Sequence, residues 1–254
     1  GDKSVFTVSN GAFISAGSGS DVIIRTGGQM DIETLSDSYL DLLSGSNLEV
    51  SGSGSLNVYG NVRMESSSTL SLLNGTMSVY ETGTFTVSGA ATIDDSGELV
   101  LDSGTMSVLS GGSLLSTGAI SMLGTSTLGI GSTGSVSVVA GSMNVLSLST
   151  LKVNGGSMNV GGEGITSTLI LGGTCMISSN GSLVVRSSGA VNVTVGSTFS
   201  LRDAGSSVML YTDGSISVYS YVSIGIESTF SFVGGTGLMS TGGSMSNVLG
   251  SLTV

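Results

Sequence analysis

The chain has 254 residues, 42 of them Gly and only 9% charged, with no Pro, Trp or His; against about 25% charged residues and about 7% Gly in ordinary domains, this composition excludes a conventional charged globular surface. Its 39% of hydrophobic residues also excludes a disordered chain, which lacks the apolar area to offset chain entropy. A net charge of −11 with only six Lys and Arg leaves no basic patch for nucleic acid.

The first residues, GDKSVFTV, show no basic stretch leading into an apolar one, so no secretory signal is visible, and no apolar run approaches the ~20 residues of a transmembrane helix. Residues 1–102 are acidic, with 13 acidic and 3 basic side chains, whereas residues 103–254 are nearly neutral, with 4 and 3. The segment most open to a helical reading is DIETLSDSYLDLL at 31–43. Its SYLDL at 38–42 nevertheless alternates apolar and polar residues, which predicts a strand.

From there one phrase recurs: Gly or Ser, then Ser or Thr, then apolar, small polar, apolar. Copies run through GSLNV at 54–58, STLSL at 68–72, GTMSV at 75–79 and 104–108, GTFTV at 83–87, GSVSV at 134–138, GSMNV at 141–145 and 156–160, STLKV at 149–153, GSLVV at 181–185, GAVNV at 189–193, GSISV at 214–218 and GSLTV at 250–254. Alternation of this kind is the period-2 mark of a strand with one buried face. A unit of seven to eight residues is too short for most antiparallel hairpins but suits one side of a polygonal coil. Longer echoes give the coil: Ser126-Thr127-Leu128 returns at Ser149-Thr150-Leu151, and Gly134–Val138 returns at Gly156–Val160.

The expected fold is therefore all-β: a right-handed parallel β-helix, or β-solenoid, with three-sided coils of about 22 residues and roughly eleven coils. It forms a single domain over 1–254, either whole or a segment of a longer solenoid. Right-handedness follows from the general hand of crossovers between parallel strands. Inward slots such as Met143, Val145, Leu151 and Val153 should stack as the core. Met77, Met106, Met143 and Met158 occupy inward slots as adaptable filler. Outward slots should carry Ser78, Thr86, Ser107, Ser137, Asn144, Asn159, Asn192 and Ser217. Paired glycines at Gly155-Gly156, Gly172-Gly173 and Gly234-Gly235 should supply positive φ at corners.

Chemistry is scarce. Without His, and with only Lys3, Lys152, Arg25, Arg63, Arg186 and Arg202 as cations, the usual general base and charge stabilisers are missing, so no catalytic residue is assigned and the protein is not expected to be an enzyme. No cofactor is expected either; glycine runs around Gly161-Gly162 and Gly164 precede no helix and carry no dinucleotide signal. The densest carboxylates, Asp94, Asp95, Glu98 and Asp102, form a weak metal candidate that lacks the ligand order of calcium loops, and they read better as a solvated acidic corner. Cys175 has no partner and sits in apolar GTCMI, which favours a small buried hydrophobe. Glycosylation acceptors occur at Asn74, Asn180 and Asn192. Tyr59 and Tyr80, about one coil apart, and the near neighbours Tyr219 and Tyr221 either stack outward for sugars or decorate the wall. An ice-binding face would want repeated Thr-x-Thr, which is sparse, with Thr84 and Thr86 an isolated case.

The repeated GSLTV, GSMNV and STLKV phrases resemble the passenger repeats of bacterial autotransporters and large surface adhesins. The resemblance implies a right-handed β-helix displayed extracellularly or on a cell surface, engaged in adhesion, matrix or filament formation. No barrel domain is visible, and no functional residue carries over from that family. The expected function is structural: an extracellular filament, coat or matrix formed by self-association. The alternatives are an adhesin module that binds glycans or a host or neighbour-cell surface and, more remotely, a carbohydrate-active β-helix enzyme.

Overall fold

The computed structural model describes residues 4–9, 11–33, 38–162, 165–224, 228–233, 236–239, 244–247 and 251–253, with side chains described up to residue 231. Each strand between the ends pairs in parallel with the third strand before it and the third after it, so the chain winds into three eleven-stranded sheets. Coil 1 consists of Ser4–Val8, Phe13–Ala16 and Asp21–Ile24, in the first, second and third sheets respectively. Coil 6 consists of Ala119–Leu123, Thr127–Ile130 and Ser135–Val138. The molecule is thus an all-β, three-sided parallel solenoid of eleven coils, and at ~4.8 Å per strand it is a rod about 50 Å long.

The sequence echoes mark the register: Thr127 pairs Thr150, and Ser135 pairs Ser157. Coil length is not constant. The pairing of Thr84 with Thr105 closes one of the shortest coils, and that of Phe13 with Tyr39 one of the longest, the difference being taken up at the corners. In the ambiguous 31–43 segment the described residues are extended, in strands Gly28–Ile32 and Tyr39–Leu42.

Alternation places two apolar side chains per strand inside. Met143, Val145, Leu151 and Val153 are buried, as are Met77, Met106 and Met158, in one column shared by all three sheets. Each such side chain contributes roughly 1.5–3 kcal/mol by leaving water. The outward slots hold small polar residues that are half-buried by the coils above and below. Ser78 is buried between Asn57 and Val100 of the adjoining coils.

The Gly-or-Ser slot opening each phrase has its own physical cause. Its N–H closes a tight corner onto the carbonyl three residues earlier, as from Gly134 to Gly131 at 2.9 Å and from Ser46 to Leu43 at 3.0 Å. The previous coil lies against it. A Cβ on Gly134 would stand 2.7 Å from the Val108 carbonyl oxygen, and one on Gly60 2.6 Å from those of Glu33 and Ser38. Where a Cβ fits, Ser occupies the slot and its hydroxyl donates to a neighbouring carbonyl: Ser46 to Leu43 at 2.7 Å, Ser68 to Glu65 at 2.7 Å and Ser126 to Leu101 at 2.6 Å.

The expected role of paired corner glycines needs correction. Gly155 has φ +77°, but Gly156, Gly172 and Gly173 are not left-handed. Space is what matters at Gly156 and Gly173, where added Cβ atoms would meet Ile130 Cγ2 at 2.6 Å and the Leu146 carbonyl at 2.5 Å. Left-handed corners are often taken by polar residues instead, among them Asn74, Asn180 and Asp213. Gly234 and Gly235 lie outside the described residues.

Candidate functional site

No concave centre dominates the described surface; what the fold builds is three flat walls. Each side of a coil presents a leading and a following outward position, such as Thr127 and Gly129. On the second sheet the leading row reads Thr84, Thr105, Thr127, Thr150, Thr174 and Thr198 through coils 4–9. On the third sheet the same row reads Ser113, Ser135, Ser157, Ser182 and Ser207 through coils 5–9. These are hydroxyl rows with the strand spacing of ~4.8 Å. The threonine row was hidden in the sequence because it takes one Thr per coil, at intervals that vary with corner length, rather than Thr-x-Thr.

Polar side chains also bridge coils near the N-terminal end. Asp31 accepts from Gln29 Nε2 at 2.9 Å and from Asn57 Nδ2 at 2.8 Å, and Thr69 donates to Asn47 Oδ1 at 2.7 Å. Asp41, on the second sheet beside Arg63, has a buried Oδ1 with no hydrogen-bond partner among the described residues. Burial raises its pKa; Arg63 opposes that and Glu65 adds to it.

The aromatics pair along the rod axis. Tyr59 and Tyr80 stack at 4.6 Å between ring centroids and 10° between planes, and Phe13 and Tyr39 stack at 5.2 Å and 11°. Arg63 lies 5.9 Å from the Tyr39 ring centroid, and Arg186 lies 6.0 Å from that of Tyr211. Stacking turns ring faces toward neighbouring coils and ring edges outward, which removes the broad platforms that sugars prefer. Desolvation, followed by the charges of Tyr80 and Asp31, raises the pKa of Tyr59. Tyr219 and Tyr221 are exposed.

The structure does not gather the four acidic candidates. Asp94 Oδ1 accepts from the backbone N–H of Asn74 at 3.0 Å and of Ser96 at 3.2 Å, so it serves the corner itself. Asp95 is exposed at that turn, and Glu98 and Asp102 sit at opposite ends of strand Glu98–Asp102, about 13 Å apart at ~3.3 Å per residue. Among the described residues, no three His, Cys, Asp or Glu side chains come together as a metal set.

The three sequons differ in setting. Asn74 and Asn180 are exposed corner residues, whereas Asn192 is half-buried mid-strand between Ile170 and Ser217. Cys175 lies in the core, paired in register with Leu151 and Phe199, and burial pushes its thiol up to about 12. A hollow of about 710 Å³ at coils 1 and 2 is lined among the described residues by Phe6, Ile14, Ile23 and Met30. No helix among the described residues is long and apolar enough to cross a membrane.

No family model and no curated protein matches the chain. Among solved structures, the crystal structure of a TibC-catalysed, hyper-glycosylated TibA fragment is similar over 99% of this chain and 100% of that one, at 18% identity and a TM-score of 0.31. A likeness this slight carries no functional argument.

Proposed function

We propose that this solenoid is a structural, extracellular or cell-surface element that builds a filament, coat or matrix by self-association, and that it is not an enzyme. One observation carries the reading: the chain presents three walls of parallel strands whose outward slots are mostly small and uncharged, with hydroxyl rows in register over five or six coils. Flat walls of one fixed spacing suit repetitive lateral contact. The resemblance of the repeat phrases to autotransporter passengers supports the surface setting. Charged side chains, which normally keep neighbouring proteins apart, are few along residues 103–254, with 4 acidic and 3 basic.

Electron microscopy of the purified native protein, together with sedimentation velocity over a wide concentration range, tests the reading. Bundles or sheets of rods, with species heavier than the monomer, are expected. Dispersed single rods and one monomeric species at every concentration would overturn it. A second reading, an adhesin module for glycans, rests on Phe13, which is 61% exposed on the second sheet of coil 1. A glycan array distinguishes the two readings, since specific retention by a monomeric rod belongs to the second.

A further inference from the structure

Four features of the second-sheet wall remain unexplained by the fold. The leading row is Thr through six coils, whereas the matching slot on the third sheet is Ser through five; the slot is outward and half-exposed in both, so the backbone does not demand the extra methyl. Gly129 interrupts the middle of strand Thr127–Ile130, yet an added Cβ would meet nothing nearer than 3.9 Å and its φ is not left-handed. A strand glycine with neither bulge nor bend nor internal crowding is often a place where another backbone or a ligand approaches closely. Gly131 beside it is open as well, to 3.6 Å. The row of following residues on the same wall is uneven in size, with Lys152 and Met176 standing between Gly129 and Ser200.

From these features we infer that the second-sheet wall is the self-association surface, and that its occupant is the same wall of a second copy lying antiparallel, with coil 6 of each copy facing coil 7 of the other. The inference rests on the self-associating function proposed above and names the face through which two rods pair; the pair is closed on that face, so growth beyond it uses the other walls. A threonine row in register at ~4.8 Å is matched without drift only by a partner of equal repeat, which a second copy has by construction; identical in-register rows are how paired β-sheets make dry, interlocking contacts.

The antiparallel register follows from the row of following residues. Reversing the rod while keeping strand direction sets Thr opposite Thr across coils 4–9 and, at the flanks, Asn61 opposite Tyr221. It also sets Lys152, in coil 7, opposite the other copy's Gly129, Met176 opposite Ser107, and Ser200 opposite Thr86. Large residues then meet small ones. The Lys152 stem lies along the shallow trough left by Gly129 and Gly131 and carries its ammonium to the corner, where it stays in water. Ten coils overlap, a patch of roughly 48 by 13 Å on each copy. Counting both copies, that is roughly 1,250 Å², at the lower bound of about 1,200 Å² for standard protein interfaces.

The test is sedimentation equilibrium of the full chain, with circular dichroism to confirm that each variant folds. Gly129→Leu, whose Cβ has open space in the single chain, should weaken association at least tenfold by filling the trough, and Thr127→Glu should do the same by placing a charge in the row. Ser137→Leu, the equivalent outward site of coil 6 on the third sheet, should leave association unchanged. Adding Lys152→Ala to Gly129→Leu should restore most of the loss. If Gly129→Leu and Thr127→Glu associate like the wild type, this wall is not the interface, although the self-associating function stands. If Gly129→Leu weakens association and Lys152→Ala does not restore it, the antiparallel register is wrong. A wild-type chain that remains monomeric, whether or not it retains a polysaccharide, overturns both the inference and the function it rests on.

Discussion

Glycine meets two opposite situations in this solenoid, and substitution by alanine separates them. At Gly134 the corner of the previous coil is so near that a methyl group would stand 2.7 Å from the Val108 carbonyl and 2.9 Å from that of Leu109. Neither oxygen can retreat without disturbing the ladder, since Val108 O accepts from Gly131 N at 2.8 Å. Gly134→Ala should therefore cost about 1–3 kcal/mol, the usual range for overpacking. At Gly129 the space is open and the conformation ordinary, so alanine removes only the entropy that glycine releases on unfolding, and Gly129→Ala should raise stability by about 0.5–1 kcal/mol. Urea unfolding of the two variants at a concentration where the chain is monomeric gives both signs in one experiment; equal effects would show that the corner yields more easily than its geometry indicates.

The strand-and-corner unit was legible in the sequence because its alternation is strict: Met143 and Val145 point inward for the same reason that Ser142 and Asn144 do not. Coil length was legible because the echoes at 126–128 and 149–151 are true register partners. The faces were not legible. A row such as Thr84, Thr105, Thr127, Thr150 and Thr174 is assembled across unequal intervals, because the corners between its strands differ in length, so no fixed period reveals it. The cause of the corner glycines was also hidden, since the carbonyls that exclude a Cβ belong to another coil.

Placement on strand or corner likewise decides the sequons. An acceptor Asn needs room around its amide and a backbone able to leave the protein surface. Asn74 and Asn180 have both, at exposed left-handed corners, whereas Asn192 is wedged in a sheet between two coils. Expression in a glycosylating eukaryotic host, followed by peptide mass spectrometry, should find glycan at Asn74 and Asn180 and bare Asn192. Glycan at Asn192 would mean that the first sheet opens before or during modification.

For the whole molecule, a solenoid has almost no contacts between distant coils, so its stability is close to a sum of nearest-neighbour terms and a local perturbation is felt locally. The charge distribution turns this into a spatial prediction. Coils 1–4 lie within residues 1–102, where 13 acidic side chains face 3 basic ones, while coils 6–9 lie in the nearly neutral remainder. Asp41 feels the like charge of Glu65 on the adjoining coil, and repulsion of this kind acts within the Debye length of about 10 Å at 0.1 M salt, so it is felt at low ionic strength and fades as salt is added. Burial, more than Glu65, raises the pKa of Asp41 against the pull of Arg63, so its cost to coil 2 once ionised at neutral pH is largely one that salt does not relieve; the repulsion is the part that salt relieves. Amide exchange at pH 7 should therefore slow in coils 1–4 when salt rises from about 0.01 to 0.5 M, while coils 6–9 change little. Uniform slowing along the rod would show instead that salt acts on the shared apolar column, whose burial strengthens with excluded salts in every coil alike. Chloride, which is weakly excluded, keeps the two effects apart; sulfate would merge them.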